Sequence, residues 1–129
     1  MTEWEIVETV RAQFAGEEPP GRDALRMVEE GLRSFPNSAR LWILRGDLIQ
    51  LSDDEASYCL DDVRASYDKA VECDPGNGEA YESIGYFLDA VMDEPAKAEP
   101  FFRKAIACGR KESATDGLAR VLEQIARVK

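Results

Sequence analysis

Residues 74–85, Asp-Pro-Gly-Asn-Gly-Glu-Ala-Tyr-Glu-Ser-Ile-Gly, decide the fold, because an earlier part of the chain repeats their spacing. In both copies a proline precedes an aromatic residue by six positions, and the aromatic residue precedes a glycine by four. The earlier copy has Pro36, Trp42 and Gly46, and the later copy has Pro75, Tyr81 and Gly85. A break of fixed spacing that recurs before apolar segments indicates a stacked array of helix–turn–helix units.

The remainder of the chain has the periodicity of helices. Apolar residues recur at i, i+3, i+4 and i+7, and no segment alternates with the two-residue rhythm of a half-buried strand. Ser38 is suited to the N-cap of the third helix, and Pro100 predicts that the sixth helix begins late or is kinked. The predicted helices are about 2–15, 22–35, 39–51, 58–73, 79–91, 95–108 and 112–128.

Length and composition are those of one soluble domain spanning 1–129. Of its 129 residues, 44% are hydrophobic and 33% charged. No apolar run approaches the ~18 residues needed to cross a bilayer. The acidic start also lacks the features of a secretion signal. Cys59, Cys73 and Cys108 show no C-x-x-C spacing, so a reducing cytoplasm is predicted rather than a disulfide framework.

The absence of histidine restricts the chemistry that the chain could perform. Ser-His and Cys-His nucleophile pairs and histidine metal sites are excluded. An enzyme would depend on carboxylates such as Asp53 and Asp54, which look exposed, whereas carboxylate catalysis needs an enclosed pocket. We therefore predict no catalytic residue, no cofactor and no metal.

The net charge of −10 is unevenly distributed. Residues 1–96 hold 8 basic and 22 acidic side chains, whereas residues 97–129 hold 8 basic and 4 acidic ones. The acidic body makes nucleic acid an unsuitable partner, since phosphate binding depends on lysine and arginine. The pattern favours either electrostatic steering of a basic protein or a merely solvated surface.

The residues resemble the tetratricopeptide repeat family, whose 34-residue unit has aromatic, small and proline residues at fixed positions. The resemblance covers roughly residues 22–110. Its matches are Ala24, Val28, Gly31 and Pro36, then Trp42, Gly46, Ile49, Val63, Tyr67, Ala70 and Pro75, then Tyr81, Ile84, Gly85, Leu88, Ala98, Phe102 and Ala105. Arg45 departs from the pattern by standing where leucine is usual, which predicts a turned helix or a neighbour that pairs with the charge.

The resemblance implies an all-α fold, a right-handed α-solenoid of about three repeats with a C-terminal capping helix. The repeats would span about 2–37, 38–77 and 78–110, and the capping helix 112–128. Trp42, Tyr67, Tyr81 and Phe102 would be stacking residues of the core rather than a ligand site. The capping helix would cover the last pair with Leu118, Val121, Leu122 and Ile125.

The resemblance also implies a concave groove, lined by the first helix of each repeat, that receives a peptide or helix. Its positions here are Arg40, Ile43, Asp47 and Gln50 in one repeat and Glu79, Glu82, Tyr86 and Asp89 in the next. Such an acidic groove would repel the carboxylate tails that chaperone-binding arrays capture. The hypothesis is a partner segment with lysine or arginine and an apolar anchor near Ile43 and Tyr86, and the alternative is a solvated acidic face.

The middle unit is five residues longer than usual, and the insertion lies near 50–62. This stretch holds five acidic residues and no basic one. It lacks the sixth-position glycine and the oxygen ladder of an EF-hand, so a calcium site is not predicted. A solvated loop followed by an acidic helix start is favoured, since acids suit the positive end of a helix.

The predicted function is a non-catalytic protein–protein interaction module, an adaptor or scaffold in the cytoplasm. A secretion-type chaperone and an immunity or inhibitor protein for one dedicated partner are the alternatives, and a carboxylate-based enzyme is a remote one. The basic end of the chain could instead dock on a partner or an acidic membrane. The sequence leaves a homodimer open.

Overall fold

The computed structural model describes residues 1–16, 21–51 and 58–128, and these ranges contain helices and no strand. The helices are α1 (Glu3–Phe14), α2 (Arg22–Ser34), α3 (Ala39–Leu51), α4 (Leu60–Cys73), α5 (Gly78–Tyr86), α6 (Pro95–Ala107) and α7 (Lys111–Val128). A π-helical segment, Phe87–Val91, directly follows α5. The predicted all-α class is confirmed. The acidic residues at 53–55 lie outside the described residues.

The chain forms two compact units, Met1–Cys73 and Asp74–Lys129, called unit 1 and unit 2 below. The boundary falls at the start of the Asp74-Pro75 break, between the predicted second and third repeats. Unit 1 contains α1 to α4, and unit 2 contains α5, the π-helical segment, α6 and α7.

Unit 1 begins with a capped helix that packs closely on the next one. The Thr2 hydroxyl accepts from the Glu5 backbone N–H at 3.1 Å, and the Glu5 carboxylate accepts from the Thr2 N–H, which completes a capping box. Gly31 on α2 lets α1 approach, since a Cβ there would lie 2.8 Å from the Ile6 side chain. The same close approach is why a small residue is needed at that position.

The α3–α4 pair shows the predicted cap and the predicted glycine–aromatic contact. Ser38 Oγ accepts from the Leu41 backbone N–H at 3.3 Å, so its N-cap role is confirmed. Gly46 lies against the ring of Tyr67, where a Cβ would come within 2.6 Å of a ring carbon. Tyr67 is 1% exposed, and α3 is buried on most sides, as its nearly continuous apolar sequence predicts.

The α5–α6 pair in unit 2 repeats this geometry. The Asn77 side chain caps α5, and Gly85 faces Phe102, where a Cβ would lie 2.9 Å from the ring. Phe102 is fully buried. The helix α6 begins at Pro95 and includes Pro100, so of the two predicted alternatives the late start is wrong and the kink stays a prediction. Pro100 is exposed, which leaves the disrupted backbone turn at the surface.

The break phrase itself is built in the same way in both copies. The indole N–H of Trp42 donates to the Pro36 carbonyl at 2.9 Å, and the Tyr81 hydroxyl donates to the Pro75 carbonyl at 2.8 Å. Tyr67, Tyr81 and Phe102 are buried as predicted, whereas Trp42 is half-buried.

The last helix, α7, packs on α6 and on α5. Gly117 lies against Phe102, and a Cβ there would be 2.5 Å from the ring. Of the four residues predicted to cover the last pair, only Val121 is buried, and Leu122 is 38% exposed. The covering face of α7 is therefore narrower than its apolar stripe.

Candidate functional site

The predicted groove residues of unit 1 lie along α3 and differ in accessibility. Arg40 and Gln50 are exposed and Asp47 is half-buried, but Ile43 is only 1% exposed. Because α3 is covered on most sides, a residue at helical spacing from Arg40 and Asp47 still falls into the core. Ile43 is thus not available as an apolar anchor for a partner.

A tyrosine from the neighbouring helix fixes the polar part of this row. The Tyr67 hydroxyl on α4 donates to Asp47 Oδ1 at 2.6 Å and accepts from Gln50 Nε2 at 2.6 Å. The ring is held from behind by Gly46. The carboxylate and the amide of α3 are thereby placed side by side before any partner arrives. We call Arg40, Asp47 and Gln50 the α3 row.

The predicted groove residues of unit 2 face the chain's own C-terminal helix. Glu82, which is 9% exposed, accepts from Ser113 Oγ at 2.8 Å and from Arg110 Nε at 3.1 Å. Asp89, whose side chain is 2% exposed, pairs with Arg120 at 2.6 Å. Two acidic residues expected to attract a basic partner are thus engaged by arginines of the same unit, Arg110 directly before α7 and Arg120 within it.

The two remaining members of that set lie beside the same contacts. Tyr86 is half-buried, donates its hydroxyl proton to the Ser113 carbonyl at 2.7 Å and packs edge-on against Phe102 with ring centroids 4.9 Å apart. Glu79, at the first turn of α5, is half-buried. Whether any of the seven predicted groove residues other than Ile43 binds a partner stays a prediction.

The electrostatics of this contact keep both donors protonated. Burial raises the pKa of the Tyr86 phenol, and the nearby Glu82 carboxylate raises it further. The hydrogen bond to Glu82 raises the pKa of the Arg110 guanidinium, against the effect of its partial burial. Tyr86 therefore remains a donor to the Ser113 carbonyl, and Arg110 remains a cation opposite Glu82, throughout the neutral range.

Comparison with known proteins gives a fold and no family. No protein-family model and no curated protein matches the chain. A solved structure, the crystal structure of PilW, described as a widely conserved type IV pilus biogenesis factor, is similar with a TM-score of 0.71 and 20% sequence identity. The match covers 96% of this chain and 53% of that one, so the chain spans about half the length of its neighbour. The fold is a TPR-like helical repeat.

Sequence reasoning did not anticipate the full cluster around Arg45 in unit 1. The guanidinium donates to Ser66 Oγ at 2.6 Å and lies 3.5 Å from Glu29, whose carboxylate accepts from the Tyr58 hydroxyl at 2.6 Å. It also lies 5.9 Å from the ring centroids of both Trp42 and Tyr58. The unusual arginine was the signal, and the prediction of a neighbour that pairs with its charge is confirmed.

The described residues were also compared with the requirements of a metal site, a disulfide and a membrane-spanning helix. None of them form a group of three or more histidine, cysteine or acidic side chains placed to hold a metal ion. The three cysteines are free thiols. Across residues 1–16, 21–51 and 58–128, no helix combines the length and the apolar character needed to cross a bilayer.

Proposed function

We propose that this chain is a non-catalytic protein-interaction module whose α3 row binds a partner segment carrying lysine or arginine. The observation behind the proposal is the Tyr67 hydroxyl, which holds Asp47 and Gln50 at 2.6 Å each. Groups that are already ordered lose less conformational entropy on binding. A carboxylate accepts several hydrogen bonds, so the bond from Tyr67 is compatible with a second donor from a partner.

The charge of the two units supports a site on unit 1. Met1–Cys73 holds 8 basic and 16 acidic side chains, a net charge of −8, whereas Asp74–Lys129 holds 8 basic and 10 acidic ones, a net charge of −2. In unit 2 the acids of the predicted groove face arginines of the same unit. The field that would attract a basic partner therefore originates mainly from unit 1.

The fold supports the general class of function. A TPR-like helical repeat presents helix faces to other chains, and the similar structure is described as a biogenesis factor, a role compatible with holding another protein during assembly. At 20% identity that similarity supports a common fold and does not support a role in pilus biogenesis for this chain. Adaptor, dedicated chaperone and inhibitor all remain forms of one proposed activity, placed in the cytoplasm where free thiols persist.

The test begins with the stoichiometric protein recovered on this chain from native cells. Its affinity for wild type and for Asp47→Asn is then measured by isothermal titration calorimetry. Asparagine keeps one oxygen acceptor for Tyr67, removes the negative charge and replaces the other carboxylate oxygen with an NH2 donor. We therefore expect binding to weaken about tenfold, as for one charged contact of ~1.4 kcal/mol.

Glu72→Gln is the matched control, because Glu72 is an exposed acid on α4 whose carboxylate pairs with Lys69 at the surface. Its binding should equal that of wild type. Equal affinities for Asp47→Asn and wild type would rule out the α3 row. An equal loss of affinity in both variants would mean that the partner is attracted by the overall negative charge of unit 1 and not by a specific site.

A further inference from the structure

The Tyr67 hydroxyl decides which atoms of its two neighbours on α3 remain for a partner. A tyrosine hydroxyl has one proton, and this one is donated to Asp47 Oδ1 at 2.6 Å. The hydroxyl oxygen is therefore an acceptor for Gln50, whose amide Nε2 donates to it at 2.6 Å. Because the amide nitrogen of Gln50 makes this bond, the carbonyl oxygen Oε1 of the same amide is directed away from Tyr67.

Two acceptors are thereby placed next to each other towards the C-terminal end of α3. The Asp47 carboxylate accepts several hydrogen bonds, and Gln50 is exposed. No residue that the structure describes donates a hydrogen bond to Oε1 of Gln50. A ligand that complements this pair has a positive charge for the carboxylate and a second donor for the amide oxygen.

An exposed apolar side chain adjoins the two acceptors. Leu51 is 46% exposed, whereas the other leucines and the isoleucines of α3 are at most 6% exposed. It lies four residues, about one helical turn or ~6 Å, after Asp47 and on the same face of the helix. A long cationic side chain suits this arrangement, because its methylene stem covers apolar surface while its charged end reaches a polar group.

We propose that the α3 row binds an arginine of the partner, whose guanidinium donates both to the Asp47 carboxylate and to Gln50 Oε1 while its stem lies on Leu51. This inference rests on the proposed function, which leaves lysine and arginine open. A guanidinium carries five N–H donors in fixed directions in one plane, so it bonds two acceptors from different side chains at once. The ammonium of lysine is a compact, strongly hydrated charge that pairs with Asp47 without needing Gln50. Gln50 is therefore the residue that determines the preference.

The chain's own neighbouring charges do not supply this cation. Arg40 lies seven residues before Asp47, about 10 Å along the helix axis, which exceeds the ~8 Å Debye length at physiological salt. Arg45 bonds to Ser66 of α4 at 2.6 Å. Residues 52–57, which follow α3 in sequence, contain no lysine or arginine.

Selection from a library of random short peptides displayed on phage tests the preference. On wild type we expect arginine to be enriched over the input library about fivefold more than lysine, as for one additional charge-assisted hydrogen bond at an exposed site. Gln50→Met keeps the length of the side chain and removes the amide oxygen, so lysine and arginine should be enriched equally. On Asp47→Asn the enrichment of both should fall. Far-UV circular dichroism establishes that each variant is folded.

Calorimetry on one selected peptide separates the contacts. Replacing its arginine by lysine should weaken binding to wild type about fivefold and binding to Gln50→Met less than about twofold, because the second bond is already absent there. Leu51→Ser should weaken both peptides by a similar factor of about three, since it removes only the surface under the stem. Leu122→Ser is the matched control, because Leu122 is an exposed leucine of unit 2, and it should bind both peptides as wild type does.

The outcomes distinguish this inference from the proposed function. Equal enrichment of lysine and arginine on wild type, or an arginine preference that persists in Gln50→Met, would overturn the arginine site and leave a basic partner in place. Affinities unchanged by Leu51→Ser, or lowered equally by Leu122→Ser, would overturn the placement of the stem on Leu51. No enrichment of either cation on wild type, or enrichment unaffected by Asp47→Asn, would contradict the proposed function and the arginine site together.

Discussion

The helix pairs α3–α4 and α5–α6 share one framework and differ in where their polar groups point. In each, an aromatic side chain donates to the carbonyl of the proline six residues before it, and a glycine lies against an aromatic ring of the second helix. The ring is Tyr67 in the first pair and Phe102 in the second. That single hydroxyl separates the two pairs.

In α3–α4 the hydroxyl of Tyr67 gathers Asp47 and Gln50 at the surface of α3. In α5–α6 the ring of Phe102 has no polar atom, and the positions equivalent to Asp47 and Gln50 are Tyr86 and Asp89, both of which contact α7. The polar residues of α3 bind the second helix of their own pair, α4. The residues at the equivalent positions of α5 and the π-helical segment bind the following helix, α7. The same packing of glycine against an aromatic ring is therefore compatible with different polar contacts.

The largest expected effect comes from removing the ring on which unit 2 depends. Phe102 lies between Gly85 on α5 and Gly117 on α7, so Phe102→Ala leaves a cavity between three helices. We expect a loss of about 3–5 kcal/mol in the free energy of unfolding. Urea unfolding followed by circular dichroism measures it, with Phe14→Ala on exposed Phe14 as the control. A loss under about 1 kcal/mol would show that the ring is not the centre of unit 2.

The next effect tests whether Asp89 of the π-helical segment is tied to α7. Arg120→Ala strands Asp89, whose side chain is 2% exposed, without its cation. Because Arg120 itself is half-exposed, water screens the pair and we expect about 2 kcal/mol of destabilisation rather than the cost of a fully buried pair. Arg127→Ala, which removes an exposed pair with Glu123 on the same helix, should change stability by less than about 0.5 kcal/mol. Similar thermal shifts for the two variants would contradict the contrast.

The smallest effect concerns the hydroxyl that distinguishes the pairs. Tyr67→Phe gives α3–α4 the ring found in α5–α6 and removes the bonds to Asp47 and Gln50, at about 1 kcal/mol in unfolding free energy. On the proposed function, it should also weaken partner binding, since the α3 row loses its support. Phe102 provides the comparison, because a phenylalanine is native there. Unchanged stability and unchanged binding together would mean that Tyr67 acts through its ring alone.

The framework was accessible to sequence reasoning because it depends on local spacing. A proline, an aromatic residue and a glycine at fixed intervals specify a break, a cap and a close approach. The helix bounds follow within about two residues, except that the predicted helix 79–91 is divided into α5 and the π-helical segment. The π-helical segment Phe87–Val91 gave no such signal. A π-helical turn contains one more residue than an α-helical turn, and this difference leaves no recognisable mark on composition or apolar spacing in a single sequence.

The site was less accessible because it depends on which helix covers which face. Helical spacing put Glu82 of α5 and Asp89 of the π-helical segment on one side, as the structure shows, but could not tell that α7 lies on that side. The basic surplus of residues 97–129 was the available sign, and it was interpreted as steering of a separate partner. Ile43 shows the converse problem, because a helix apolar on nearly all sides has no single face to predict from.

The bond between each break proline and its aromatic residue has a practical consequence for building hybrid arrays. Acceptor and donor are six residues apart, so a transplanted segment keeps this hydrogen bond only if it contains both residues. A fusion joint placed between Cys73 and Asp74 transfers Pro75 and Tyr81 as one cassette. A joint between Pro75 and Tyr81 would take the acceptor carbonyl from one protein and the donor side chain from the other. The hybrid would then keep this hydrogen bond only if the second protein supplied a suitable partner.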